Sequence, residues 1–221
     1  MIKKFFFSFI SILMINSLHA QVTYGIRSGV NYATWKGDDI QIIQDLVDKT
    51  DGYVVAKGRT GMHIGGYVNI PISNTISFEP GIGYSKKGYS LKGDFQIPVL
   101  SYLGVNARAQ VQSHYIDMPL VLKVKVYKGL QVYAGPQVSY LVRSTLNAKL
   151  GVFGITLFNR GIGITNRFNK VDMGLTGGIG YQFENGLNVQ AGYDYGLSPL
   201  DKNGNYAAYN RVVKVSVGFS F

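Results

Sequence analysis

The sequence predicts an all-β protein, an eight-stranded antiparallel up-and-down transmembrane β-barrel with its apolar face to lipid and a polar, glycine-rich interior. Three observations carry this. Eight segments alternate apolar and polar residues with a period of two, each long enough for the ~9–11 residues a tilted strand needs to cross a bilayer. Their connections run long, short, long, short, long, short, long, the rhythm of a meander with its long loops at one end and tight turns at the other. The polar set is peppered with glycine, at 25, 29, 61, 65, 81, 83, 135, 174, 178, 180, 192, 196 and 218, and residues without side chains suit a crowded interior.

The chain opens with MIKKFFFSFISILMINSLHA, a basic start at Lys3 and Lys4, an apolar run from Phe5 to Ile15 and a small Ala20. That pattern is a cleaved secretory signal over residues 1–20, leaving a barrel domain over 21–221. From Val22 to Trp35, Val22, Tyr24, Ile26, Val30 and Tyr32 share one face, opposite Arg27, Asn31 and Ala33. Residues 36–58 break the alternation with five aspartates, Asp38, Asp39, Asp45, Asp48 and Asp51. Ile40, Ile43, Leu46 and Val47 fall there at helical spacing, so this loop contains a short helix.

Arg59 to Ile72 and Ile76 to Ser85 form a hairpin about the turn Ser73-Asn74-Thr75. A second irregular stretch spans 88–112. Ser113 to Tyr127 then turns at Lys128-Gly129 into Leu130 to Arg143. A third long stretch, 144–169, holds the apolar GVFGITLF, expected to prolong the hairpin beyond the main sheet. Val171 to Phe183 and Leu187 to Tyr195 meet at Glu184-Asn185-Gly186, a strong hairpin turn. The terminal strand sets Val213, Val215, Val217, Phe219 and Phe221 against Val212, Lys214, Ser216, Gly218 and Ser220.

A soluble barrel would turn the apolar set inward. Here the apolar faces carry charge only near the loop ends, at Lys86 and Arg211, and aromatics gather at both ends of them: Tyr24, Phe78, Tyr181, Phe183, Phe219 and Phe221 at the turn end, Tyr32, Tyr84, Tyr140, Tyr193, Tyr195 and Tyr209 at the loop end. Two interfacial girdles are implied, with lipid outside. Pro80, Pro119 and Pro136 fall within strands and are expected to mark bulges.

The net charge of +10, or +8 without Lys3 and Lys4, comes with no recognition-helix or zinc-finger spacing. Anionic lipid and lipopolysaccharide are therefore the expected partners, and nucleic acid is not. The chain has no cysteine, hence neither a disulfide framework nor a lipid-attachment thiol.

The motif YIDMPLVLKVKV (115–126), the segment GPQVSYL (135–141) and the aromatic C-terminus resemble the outer-membrane β-barrel domain of Bacteroidetes proteins labelled porin family or PorT family. The resemblance implies outer-membrane location and passage through the barrel-assembly machinery, for which Phe221 would be part of the signal. It says little about activity.

Inward charges of both signs, Arg27, Arg59, Glu79, Asp117, Lys123, Lys125, Arg143, Asp172, Asp194 and Lys214, are expected to pair into a structural network plugging the interior, since lone charges there are costly. Eight strands leave little lumen, which disfavours a porin. No catalytic, metal or cofactor residue is assigned. Ser113-His114 is the one hint of a hydrolase, but adjacent strand residues face opposite ways. The expectation is a non-enzymatic scaffold presenting loops 36–58, 88–112 and 144–169 to surface or envelope partners. The alternatives are an accessory subunit of a secretion or envelope assembly, a surface lipid-modifying enzyme, or a narrow solute channel.

Overall fold

A computed structural model describes residues 22–49, 54–95, 105–152, 155–204 and 207–221; the predicted signal at 1–20 lies outside the described residues. The described strands, in chain order, are β1 (Thr23–Lys36), β2 (Val54–Pro71), β3 (Ile76–Phe95), β4 (Val105–Tyr127), β5 (Leu130–Val152), β6 (Ile155–Gly163), β7 (Val171–Gln182), β8 (Leu187–Gly196) and β9 (Tyr209–Ser220). One helix, α1 (Asp38–Asp48), follows β1, and a short 3₁₀ turn (Thr165–Arg167) follows β6.

All neighbours are antiparallel. The order is β4-β3-β2-β1-β9-β8-β7-β5, and a further β4–β5 pairing closes eight strands into a ring. The first and last strands meet over Gly25↔Ser220 to Lys36↔Tyr209, and Tyr24 and Phe221 exchange backbone hydrogen bonds of 3.0 and 2.8 Å at the end of that seam. The ninth strand, β6, pairs with β5 from Thr145↔Gly163 to Val152↔Ile155. It prolongs the hairpin past the ring, as the apolar segment there implies.

Burial settles which face is inside. Ile26, Ile64, Ile82 and Val215 are 61, 60, 60 and 53% exposed, whereas Glu79, Gln137, Asp172 and Asp194 are 3–5% exposed. Apolar side chains cover the wall and polar ones fill the centre, the inverse of a water-soluble barrel. Aromatic bodies fit against the inward glycines. A Cβ on Gly178 would lie 2.1 Å from the Ala191 carbonyl oxygen and 2.8 Å from the Tyr133 hydroxyl, so this position admits hydrogen alone.

Two expectations need correction. Residues 88–95 and 105–112 are not irregular loop: β3 continues to Phe95 and β4 starts at Val105, paired in unbroken register from Gly83↔Asp117 to Phe95↔Val105. The three prolines are not bulges. Across Pro80, Pro119 and Pro136 the register is the same on both sides, and the ladders merely skip pairs beside them, between Tyr67↔Gly81 and Ile70↔Phe78, Pro80↔Leu120 and Gly83↔Asp117, and Pro119↔Gln137 and Leu122↔Ala134. Each missing N–H removes a rung without inserting a residue. The bulges lie elsewhere, at Gly58/His63 in the β2–β3 ladder, at His114/Tyr115 and Lys125/Tyr127 in the β4–β5 ladder and at Leu150/Gly151 in the β5–β6 ladder.

At the loop end an apolar cluster of Ile40, Tyr89, Leu200 and Ala208 is joined by Trp35, Ala56, Leu91 and Phe168. Trp35 stacks on Tyr89 at a centroid distance of 5.3 Å and meets Phe168 at 5.8 Å. The spacing of Ile40 and its neighbours forms α1, and the helix is fastened where Ala207 N donates to Asp39 Oδ2 at 2.5 Å. Because Trp35, Tyr89 and Ala208 continue the inward parity of β1, β3 and β9, the cluster caps the mouth of the ring.

The Gly178→Ala variant is expected to lose about 1–3 kcal/mol of unfolding free energy by overpacking, read from urea unfolding in lipid vesicles. Gly163→Ala, with nothing within 4 Å of the added carbon, is expected to be neutral.

Candidate functional site in the barrel interior

Nearest the turns, Glu79 on β3 collects two cations. Arg27 Nη1 and Nη2 donate to its Oε1 at 3.2 Å each, and Lys123 Nζ forms an ion pair with Oε2. Gln190, its amide oxygen turned to the cations, accepts from Arg27 Nη2 and Lys123 Nζ at 3.0 Å. Both cations also lie over the Tyr67 ring, 4.2 and 5.5 Å from its centroid. Asn188 Nδ2 donates to the Tyr67 hydroxyl at 2.8 Å, which in turn meets Ser220 Oγ at 2.9 Å. Cations from β1 and β4 thus converge on one carboxylate of β3, and its desolvation is offset by charge-assisted hydrogen bonds.

Further toward the loops, Lys214 pairs with Asp194 at 2.7 Å, and Thr176 donates to the same carboxylate at 2.7 Å. Gln137 Nε2 reaches both Asp194 and Ser139 at 3.3 Å. Lys87 pairs with Asp117 at 2.9 Å, donates to Ser139 at 3.2 Å and sits 4.7 Å from the centroid of Tyr115. Ser85 donates to Asp117 at 2.6 Å, and Asn210 donates to Asp172 at 2.7 Å.

Between the two tiers lies a cavity of about 100 Å³, lined in part by Arg27, His63, Tyr133, Gln190, Lys214 and Ser216. At ~10–15 Å³ per water centre it has room for several water molecules. At the turn end a wider vestibule of about 530 Å³ opens, with Lys123 and Lys125 among its walls.

Of the sequence-predicted charges, Arg27, Glu79, Asp117, Lys123, Asp172, Asp194 and Lys214 all lie in this interior. Three do not join it. Lys125 is exposed at the turn-end rim. Arg59 turns to Gln112, donating from Nη2 to Oε1 at 3.1 Å. Arg143 is the clear correction: alternation assigns it inward, yet it is exposed. At the β4–β5 bulge His114 faces Arg143 and Tyr115 faces Leu141, so Val142 is an extra residue. Leu141 and Ser144 are therefore buried while Val142 and Arg143 both face out. Sequence reasoning missed Lys87, although extending the alternation of β3 by one step beyond Ser85 would have found it.

With Lys87 added, the interior holds Arg27, Lys87, Lys123 and Lys214 against Glu79, Asp117, Asp172 and Asp194, a balanced set. Ser113 Oγ is buried against Ser144 Oγ at 2.9 Å, whereas His114 Nδ1 hydrogen bonds with the outward Tyr84 hydroxyl, so the two point to opposite faces. Among the described residues, no group of three or more His, Asp or Glu side chains is placed to hold a metal ion; Asp51 lies outside them.

A family model described as the outer membrane protein beta-barrel domain matches residues 16–202. The chain belongs to this family. Membership implies outer-membrane localisation, in which the apolar wall meets hydrocarbon and the closed ring leaves no backbone edge exposed to it. No curated protein matches the sequence. Among solved structures, similar chains include Neisserial surface protein A (TM-score 0.48, 12% identity, 91% of this chain and 99% of that one covered). Ail, the attachment invasion locus protein of Yersinia pestis, was solved with the heparin analogue sucrose octasulfate (TM-score 0.46, 11% identity, 91% and 99% covered). OprG from Pseudomonas aeruginosa is similar at a TM-score of 0.43 (12% identity, 92% and 97% covered).

In this outer-membrane barrel the Glu79→Gln variant leaves Arg27 and Lys123 facing each other uncompensated. It is expected to lose about 3 kcal/mol of stability, measured by urea unfolding in lipid vesicles. Glu79→Gln combined with Lys123→Met is expected to regain part of that loss.

Proposed function

We propose that the protein is a non-enzymatic outer-membrane scaffold whose loop-end structures engage a partner at the cell surface. The observation that carries this reading is the contrast between a filled centre and a long projection. The interior is occupied by ion pairs and capped by an apolar cluster. Beyond Tyr84 and Tyr140, by contrast, β3, β4 and β5 continue as a regular sheet that β6 widens, and β3 runs on to Phe95, level with Val105 and Val152. At ~3.3 Å per residue that is about 35 Å of strand past the aromatic band. Ordered structure outside the membrane presents groups to a partner more rigidly than a floppy loop does.

The filled interior also supports the view that the barrel does not conduct solutes. The separation of Ser113 from His114 removes the one arrangement that suggested a lipid hydrolase. The YIDMPLVLKVKV motif supports a place among the PorT-like Bacteroidetes members. Tyr115, Asp117 and Lys123, its inward polar residues, all belong to the interior network, so the motif reports on the barrel and leaves the role of accessory subunit to be tested at the projection. Barrel assembly through Phe221 is proposed on the same footing: its backbone ends the β1–β9 seam and its ring is exposed on the lipid side.

Two measurements test the scaffold reading. In planar bilayers the full chain is expected to give no step conductance; steady channel openings would refute a plugged barrel. Joining Lys87 to Ser113 through Asn-Gly removes the β3–β4 projection. The product is expected to keep heat-modifiable gel migration, which reports the closed ring, while losing any partner that co-purifies with the intact chain. Unchanged co-purification would place partner binding elsewhere.

A further inference from the structure

We infer that the outer face of the β3–β4–β5 sheet, from just above the loop-end aromatic band outward, is a binding site for a phosphorylated glycolipid of the outer leaflet. The inference rests on the proposal that the loop end faces that leaflet, and adds a ligand class and a site. Directly paired residues of adjacent strands share a face, with Cβ atoms about 4.5–5.5 Å apart. One row is Lys86, His114 and Arg143, immediately above the row Tyr84, Ile116 and Tyr140. Farther out on the same parity, Lys92, Arg108 and Lys149 form a second row. Between them on these three strands lie uncharged rows, Gly88, Gln112, Thr145 and Ser90, Gln110, Asn147, the second of which is continued onto β2 by Lys57. Asp94 stands in the row beyond, opposite Asn106.

Like charges side by side on a sheet cost stability, and none of the four ion pairs among the described residues uses these cations. An anion bound between them relieves that repulsion. Six residues separate Lys86 from Lys92, or about 20 Å of strand. That matches a ligand with an anionic group at the membrane surface, more anionic groups farther out and acyl chains below. The wall beneath is apolar, with Val142 at 53%, Ile82 at 60% and Met118 at 37% exposure.

The first row is built rather than incidental. The bulge that puts Val142 and Arg143 on one face brings the guanidinium to a cleft of about 470 Å³ that Tyr84, Gln112, His114, Val142, Thr145 and Asn147 also line. Bulges of this kind re-aim side chains at barrel rims. The cleft's donors are set by a relay. Arg59 Nη2 donates to Gln112 Oε1 at 3.1 Å, which turns Gln112 Nε2 toward His114 Nε2 at 3.0 Å. That ring nitrogen must accept, so Nδ1–H donates to the Tyr84 oxygen and leaves the tyrosine's own hydroxyl hydrogen free. Arg59 Nη1 is buried with no partner, a further donor without an acceptor. Lys86 and Arg143 supply the charge, Tyr84 and Gln112 supply neutral donors, and His114 is a positioning residue.

The test is native mass spectrometry of the full chain from detergent, titrated with diphosphoryl lipid A, with the same lipid after phosphate removal, and with a lipopolysaccharide of phosphorylated core. Retention of diphosphoryl lipid A is expected to exceed that of the dephosphorylated form by about tenfold, the scale of one charge-assisted hydrogen bond. The Lys86→Gln/Arg143→Gln variant is expected to erase that preference. Lys92→Gln/Arg108→Gln/Lys149→Gln is expected to spare it and weaken only the core-phosphorylated ligand, and Lys125→Gln at the opposite rim to change nothing. Equal retention of both lipid A forms by the unaltered chain, which needs no variant to fold, overturns the proposal. So does displacement by millimolar inorganic phosphate, which would mark a free-phosphate site, or an equal effect of Lys125→Gln. Heat-modifiable migration of each variant reports the barrel separately, so failure of the membrane-scaffold reading is distinguishable from failure of the lipid site.

Discussion

Hydrocarbon offers no hydrogen-bond partner, and that one constraint shapes this chain. Every N–H and C=O at membrane depth must be paired within the protein, which for strands means a closed ring. The ring closes where the first strand meets the last, β1 to β9, and that seam is continued to the last residue by the exchange between Tyr24 and Phe221. Three prolines each give up a donor inside this wall. They occupy stepped positions on β3, β4 and β5, so that the skipped pairs fall side by side while the register holds across all of them. Concentrating the lost rungs in one patch keeps the remaining ladders intact, and the β5–β7 ladder runs past Pro136 without a skipped pair.

Closure then dictates the interior. A ring of eight strands encloses a space that side chains nearly fill, and with lipid claiming the apolar set, the polar set must fill it. Buried charges are tolerable only when paired and hydrogen-bonded. Glu79 holding Arg27 and Lys123, Asp194 holding Lys214, and Asp117 holding Lys87 meet that demand, and neutral side chains such as Gln137, Ser139 and Gln190 join the pairs into tiers. Tyrosines 67 and 133 add bulk where facing glycines leave room, which is why strand-interior glycine, ordinarily a weakness, recurs on the inward face.

Much of this was legible in the alternation itself. Parity placed Arg27, Glu79, Asp117, Asp172, Asp194 and Lys214 inward without knowledge of the fold, because a period of two is a geometric property of the extended chain. The helical spacing of Ile40, Ile43, Leu46 and Val47 likewise announced α1. What alternation cannot reveal is where it is interrupted. The extra residue at Val142 reversed Arg143, and nothing in SYLVRST marks a bulge before the partner strand is known, since a bulge is a mismatch between two strands. Residues 88–112 looked irregular because a sheet outside the membrane need not be apolar on its outer face. Their small and polar residues, Ser90, Gln110 and Gln112 among them, read as loop composition while pairing as strand.

The same bulge links the two chemistries of the protein. Had parity continued through Val142, Arg143 would have entered an interior whose cations and carboxylates are already matched, four against four, at the cost of an unpaired buried charge. One inserted residue instead keeps that balance and adds a guanidinium to the outer face, beside His114 and just above Tyr84 and Tyr140. The inward phase is then restored at once by Ser144, so the capped mouth is undisturbed. Neutrality within the ring and positive charge on the projecting sheet are therefore two results of a single local break in pairing, with the side chains of one strand divided between a centre that must be balanced and a surface free to attract anions.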